Sequence, residues 1–124
     1  MKNVKIGKNG LYVPAVGYGA WQAGKSGWGS DYTDDDLIEA MRFSIKNGSN
    51  LIDTAEVYGM GYSEKLIADA IKEFERKDYF IATKVNPPHF GYEDVLKSCF
   101  HRILPSGSFS LQGVPLHQRR RKEP

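Results

Sequence analysis

Two hydrophobic rhythms alternate along the chain. VKIGKNGLYV (residues 4–13) holds two short β-like runs around Asn9-Gly10, a dipeptide that favours the positive φ of a tight hairpin turn. AVGYGAW (15–21) is apolar and dotted with glycine, the texture of a first buried strand, and the polar loop GKSGWGSDY follows. Thr33 then opens a helix, with Asp36 three residues on and acids filling a first turn whose dipole favours negative charge. Leu37, Ile38, Met41 and Ile45 recur at helical spacing, and Gly48 stands just past the end. NLID (50–53) predicts a short buried strand. Ser63 and Glu64 begin a second helix whose Leu66, Ile67, Ala70, Ile71 and Phe74 form one apolar stripe. YFIATKV (79–85), β-branched and aromatic, predicts a third strand. Pro87-Pro88 breaks the chain, and a third helix follows from about Tyr92, with Val95, Leu96, Cys99, Phe100 and Ile103 facing inward.

A hairpin followed by strand–helix alternation, three times over, predicts an α/β fold with parallel strands and covering helices. The near-continuous apolar strands agree, because both faces of such a sheet are covered. After Leu104 the texture changes. PSGSFSLQGVPLHQRRRKEP brings three prolines, two glycines and three serines where a fourth buried strand is due. Pro115 cannot donate to a central ladder, so VPLH is a poor strand. The organisation expected is a folded part over residues 1–104 and a poorly ordered basic tail over 105–124.

Composition adds little that is specific. The chain has 124 residues, 40% hydrophobic and 26% charged, ordinary values for one soluble domain. No stretch approaches the roughly 20 apolar residues of a membrane span, and MKNVKIGKNG lacks the apolar middle of a secretory signal, so the expected address is cytoplasmic. A single cysteine, Cys99, rules out an intramolecular disulfide and reads as helix packing. The net charge of +2 conceals a tail, HQRRRKEP, of local charge +3, so residues 1–116 carry −1. With no aromatic residues between its charges, that tail reads as a solvated terminus and not as a nucleic-acid or membrane site.

GAWQAGKS (19–26) matches the P-loop pattern of nucleotide hydrolases. A P-loop also needs a helix that starts at its Lys-Ser pair, since that helix's free amides bind the phosphates. Gly27 and Gly29 follow instead, and the first convincing cap is Thr33. GYG (17–19) fails as a dinucleotide fingerprint, because Gln22 holds the third glycine's place.

A stronger signal joins GSNLIDTAEVYGMGYSE (48–64) to FIATKV (80–85). Asp53 ends the second predicted strand and Lys84 the third; adjacent strands lie about 4.8 Å apart, close enough for an ion pair. Tyr58, five residues beyond Asp53, sits on the loop above the same sheet edge. Taken singly, Asp53 also reads as a loop cap, Tyr58 as a half-buried aromatic and Lys84 as a solvated strand end. Together they are chemically complementary. A free phenol, with a pKa of about 10, is a poor acid at neutral pH. A nearby ammonium stabilises the phenolate, and a carboxylate keeps that ammonium charged and aimed. Such a group suits protonation of a carbonyl oxygen as hydride arrives at carbon.

GSNLIDTAEVYGMGYSEKLIADAIK and FIATKV resemble the aldo-keto reductase family, and the likeness covers residues 1 to about 104. The resemblance implies a (β/α)8 TIM barrel with the hairpin capping its bottom, and NADP(H)-dependent reduction of aldehydes or ketones, or its reverse. It implies that Asp53, Tyr58 and Lys84 are three of four catalytic residues, with Tyr58 the proton donor. Gly19, Ala20, Trp21 and Asp53 then bind the nicotinamide end of the cofactor, and Trp21 and Asn86 line the pocket of a small carbonyl or alcohol substrate. GAWQAGKS becomes an active-site loop.

The fourth catalytic residue is a histidine ending the fourth strand. His117 has nearly the right spacing, 33 residues after Lys84, but not strand-like surroundings, and His89 and His101 fit no catalytic position. A complete barrel takes about 250 residues, so a partial barrel is expected, truncated or frame-disrupted after about residue 100, with open sheet edges that invite self-association. In the family it resembles, the elements that hold the cofactor's adenosine phosphate follow the seventh and eighth strands, so little turnover and incomplete cofactor binding are expected. The alternatives are a non-catalytic product that pairs with another barrel fragment or an acidic partner, and, at a distance, the P-loop hydrolase.

Overall fold

A computed structural model describes residues 1–8, 10–25 and 31–103, with side chains as far as Ser98. Strands β1 (Asn3–Lys5) and β2 (Tyr12–Pro14) pair antiparallel, Val4 opposite Val13, and form the N-terminal ribbon. The turn expected at Asn9-Gly10 lies in part outside the described residues. Three parallel strands follow in chain order: β3 (Tyr18–Gly19), β4 (Leu51–Asp53) and β5 (Phe80–Ala82). Helix α1 (Asp34–Lys46) joins the first two, α2 (Tyr62–Ala70) the second and third, and α3 (Tyr92–Ile103) follows β5. Among the described residues the architecture is α/β, with three parallel strands in one open sheet and helices between them.

Helix α1 starts where its cap dictates. The Thr33 hydroxyl accepts from the Asp36 amide at 3.2 Å, while an Asp36 carboxylate oxygen accepts from the Thr33 amide at 2.7 Å. Both bonds satisfy amides that lack partners within the helix. Leu37, Met41 and Ile45 turn inward and meet Leu66, Ile67 and Ala70 of α2 and Ile52 of β4. Met41, Ile52 and Ile67 have no exposed surface, and each such side chain contributes about 1.5–3 kcal/mol relative to exposure. Arg42 crosses the seam, donating to the Ala70 and Asp69 carbonyls at 3.4 and 3.3 Å, carbonyls that α2 leaves open at its end.

Several boundaries differ from the sequence reading. The strands are shorter, two or three residues each. There Tyr18 pairs with Ile52 and Ile52 with Ile81; Gly19 pairs with Asp53 and Asp53 with Ala82. Gly17 lies so near β4 that an added Cβ would meet the Leu51 carbonyl oxygen at 2.8 Å. Helix α2 begins at Tyr62 behind Gly61, whose φ of 90° few other residues adopt. Phe74 packs on the core from extended backbone after a 3-10 turn (Ile71–Glu73), not from the helix stripe. Leu96, expected inward, is 38% exposed, and Val95 is half-buried. The described part of α3 contacts the 3-10 turn Pro87–His89 before it. The side chains of Cys99, Phe100, His101 and Ile103, and residues 104–124 with His117 and the tail, lie outside the described residues.

Candidate active site

The register of the sheet brings the expected residues to one edge. Gly19, Asp53 and Ala82 stand abreast across β3, β4 and β5, and Lys84 follows two residues beyond β5. The ladder continues past the strands: the Ala20 amide donates to the Asp53 carbonyl at 2.8 Å, that of Thr54 to Ala82 at 2.8 Å, and that of Glu56 to Lys84 at 3.0 Å. These bonds hold the three chain segments level as they leave the sheet.

Lys84 reaches back across this edge. Its Nζ donates to both carboxylate oxygens of Asp53, at 2.7 and 2.8 Å, and to the Thr54 carbonyl at 3.0 Å. It also lies 5.3 Å from the centre of the Tyr58 ring. Partial burial pulls the Lys84 pKa down, but the bond to Asp53, that carboxylate's charge and the Tyr58 hydroxyl outweigh it and hold the group above the usual lysine value. Lys84 is therefore an ammonium at neutral pH. The cluster is open to water, with the Lys84 and Asp53 side chains 54% and 49% exposed.

Tyr58 is placed by an unusual loop. Gly59, Met60 and Gly61 occupy the left-handed region in succession, with φ of 64°, 55° and 90°. This coil reverses the chain between β4 and α2 and is closed by bonds from the Gly61 amide to the Glu56 carbonyl at 2.9 Å and from the Ser63 amide to the Tyr58 carbonyl at 3.2 Å. The loop after β3 lies directly on it. A Cβ on Gly24 would meet the Tyr58 backbone at 2.7 Å, and one on Gly59 would meet the Gly24 carbonyl oxygen at 2.5 Å. This backbone contact brings Trp21 against Tyr58, ring centres 5.2 Å apart and tilted by 36°. Trp21 remains half-exposed, and Ala20 is buried beneath it.

Lys25, the lysine of the P-loop-like segment, does not open a helix. It closes a 3-10 turn, Gln22–Gly24, in the left-handed region with φ 56°. Its ammonium pairs with Asp34 at 2.7 Å and lies 5.1 Å over the Tyr62 ring, while the Tyr62 hydroxyl donates to the other Asp34 oxygen. The bonds from Lys25 and Tyr62 hold the Asp34 carboxyl below the usual aspartate range. The segment is thus tied to the start of α1.

Asn86 precedes the Pro87–His89 turn, and its backbone amide donates to Glu56 Oε2 at 2.8 Å. The other oxygen, Oε1, bonds His89 Nδ1 at 2.8 Å. Glu56 therefore anchors the β5–α3 connection to the β4–α2 loop, beside an open groove of about 440 Å³ that Glu64, Asp94 and Lys97 also line. Sequence reasoning missed this pair, and it also missed the buried hydroxyls of Thr54 and Ser63, which touch at 2.9 Å. The only signal for Glu56, Thr54 and Ser63 was their presence in the TAEVYGMGYSE segment, without which Glu56 and Ser63 resemble any polar loop or helix residue. Among the described residues no His, Cys, Asp and Glu cluster has the makings of a metal site, and no helix is long and apolar enough to cross a membrane.

The sequence profile of the aldo/keto reductase family matches residues 15–106. Aldo-keto reductase YhdN of Bacillus subtilis is 40% identical over 86 residues, 68% of this chain and 25% of that protein. An oxidoreductase of Mycobacterium tuberculosis, Rv2298, is 32% identical over 116 residues, 90% of this chain and 34% of that one. Among solved structures, the thermostable aldo-keto reductase Tm1743, bound to the inhibitor epalrestat, superposes with a TM-score of 0.75 at 38% identity, over 87% of this chain and 39% of its own. An aldo-keto reductase of Klebsiella pneumoniae, bound to NADPH, gives 0.68 at 28% identity, over 80% of this chain and 33% of its own. The chain thus spans a quarter to two-fifths of the length of these relatives.

Proposed function

The chain belongs to the aldo/keto reductase family, and on that premise we propose that it carries the amino-terminal part of an NADP(H)-dependent carbonyl reductase site, with Tyr58 as its proton donor. The observation that carries this reading is the Lys84 ammonium, held by both oxygens of Asp53 and lying 5.3 Å from the Tyr58 ring. The residues present fit the nicotinamide end of the cofactor. A Cβ on Gly19 would meet nothing within 4 Å, so the strand end beside Asp53 offers an open floor, and the half-exposed indole of Trp21 offers an apolar wall. Gly19, Ala20, Trp21 and Asp53 would hold that end, and when bound the cofactor supplies the hydride for the carbonyl carbon. The Klebsiella pneumoniae relative of the same family, solved with NADPH, supports the choice of cofactor.

Tyr58 Oη gives its proton to the carbonyl oxygen of a small aldehyde or ketone, and takes it back from the alcohol in reverse. Lys84 favours the negative charge left on that oxygen, and Asp53 keeps Lys84 charged and aimed. Trp21, against the phenol ring, and Asn86, at the start of the next connection, flank the substrate. For residues 1–124 by themselves we infer weak cofactor binding and slow turnover. Purified chain is assayed for quenching of NADPH fluorescence and for aldehyde-dependent oxidation. The expected result is weak quenching that Trp21→Ala lowers further, and slow oxidation that Tyr58→Phe removes. Robust oxidation unaffected by Tyr58→Phe contradicts the proton-donor assignment.

A second reading has its own observation. The outer edges of β3 and β5 carry no strand partner among the described residues, an arrangement that favours association. A sedimentation series in which the chain stays monomeric at high concentration would remove it.

A further inference from the structure

Beneath the site, two buried hydroxyls join the segments that carry it. The Ser63 side chain donates to the Ala20 carbonyl at 2.9 Å, and it touches Thr54 Oγ1 at 2.9 Å. Ser63 has a single hydroxyl proton, and that proton is committed to Ala20. The bond between the two hydroxyls therefore runs from Thr54 to Ser63. Both residues have no exposed surface, so water offers neither oxygen a substitute partner.

Through their backbone atoms the two residues also reach the segments that carry Lys84 and Tyr58. The Thr54 carbonyl accepts from Lys84 Nζ at 3.0 Å, and its amide ties β4 to β5 through Ala82 at 2.8 Å. The Ser63 amide holds the Tyr58 carbonyl at 3.2 Å. Ala20, whose carbonyl receives the Ser63 proton, precedes Trp21 and is itself tied to the Asp53 carbonyl at 2.8 Å. One directed pair of hydrogen bonds thus spans the end of β3, the end of β4 and the start of α2. We propose that Thr54 and Ser63 are positioning residues, whose linked hydroxyls set the mutual placement of Asp53, Lys84, Tyr58 and Trp21 without touching substrate or cofactor. This deepens the carbonyl reductase reading and rests on it for its meaning, but its test needs neither ligand nor turnover.

The test uses the full isotope-labelled chain and two resonance signatures: the Lys84 side-chain ammonium bonded to Asp53, and the Overhauser contact between the Trp21 and Tyr58 rings. Thr54→Val keeps the side-chain shape and removes the hydroxyl. It is expected to lose both signatures while the amide resonances of α1 stay in place. Thr54→Ser returns the hydroxyl and is expected to restore both. Thr54→Val with both signatures intact overturns the proposal. A folded Thr54→Ser chain that lacks them also overturns it. Should Thr54→Val fail to fold, Thr54→Ser decides by the same criterion, retention supporting the proposal and loss overturning it. Failure of Tyr58 as proton donor would be seen in turnover alone and would leave these signatures unchanged.

Discussion

Met60 sits in the left-handed region and is 87% exposed, so its side chain gains nothing from packing to offset the strain. Met60→Gly is therefore expected to raise stability, by about 0.5–1 kcal/mol, in a denaturant titration. Gly59 is the opposite case: its φ is positive and a Cβ would meet the Gly24 carbonyl oxygen at 2.5 Å. Gly59→Ala should cost stability and separate the Trp21 and Tyr58 rings. Lys84 carries a pH signature. Its folded pKa is raised, so its contribution to stability is fully present below the unfolded lysine pKa of about 10.4 and is lost as pH rises through the folded value. Melting temperatures followed into that alkaline range should fall more in the native chain than in Asp53→Asn, which lacks the partner. Equal falls would mean that the ion pair is not formed.

The helices were legible in sequence because caps and stripes are local. Thr33 with Asp36 marks the start of α1, and the spacing of Leu37, Met41 and Ile45 fixes its buried face within the same few turns. Thr33→Ala is expected to cost about 1 kcal/mol, measured by thermal or denaturant unfolding. Acid acts on the same element. The Asp36 carboxyl is held low by the Thr33 amide and hydroxyl, and Asp34 by Lys25 and Tyr62. Groups with lowered folded pKa values contribute stability that is present above the unfolded aspartate pKa of about 3.9 and lost as pH falls through the folded values. Circular dichroism should show α1 loosening at higher pH in Asp36→Asn than in the native chain. Strand ends and the face of α3 were less legible. Leu96 obeys the helical period yet is 38% exposed, because periodicity does not say which neighbour an element finds. The Glu56–His89 pair joins residues 33 positions apart, and no local pattern announces it.

At the scale of the molecule, the meeting of Asp53 and Lys84 was readable because parallel strands deliver their carboxyl ends to one edge, whereas the placement of Tyr58 depends on the loop between β4 and α2. The buried hydroxyls below that edge were not, since Thr54 and Ser63 acquire their meaning only once β3, β4 and α2 are packed together. The core is small. Ile67→Ala, at a position with no exposed surface between α1 and β4, is expected to cost about 2–5 kcal/mol and to unfold much of the chain at ambient temperature. Partial architecture also sets how the chemistry is best tested, since a site half-exposed to water lacks the enclosure that strengthens charge interactions. The most direct measurement is the kcat of a chimera in which residues 1–103 of this chain replace the matching segment of YhdN. The account predicts NADPH-dependent aldehyde reduction by the chimera and a loss of about 10²–10⁴-fold in kcat on Tyr58→Phe; an active chimera whose kcat is unchanged by Tyr58→Phe would contradict it.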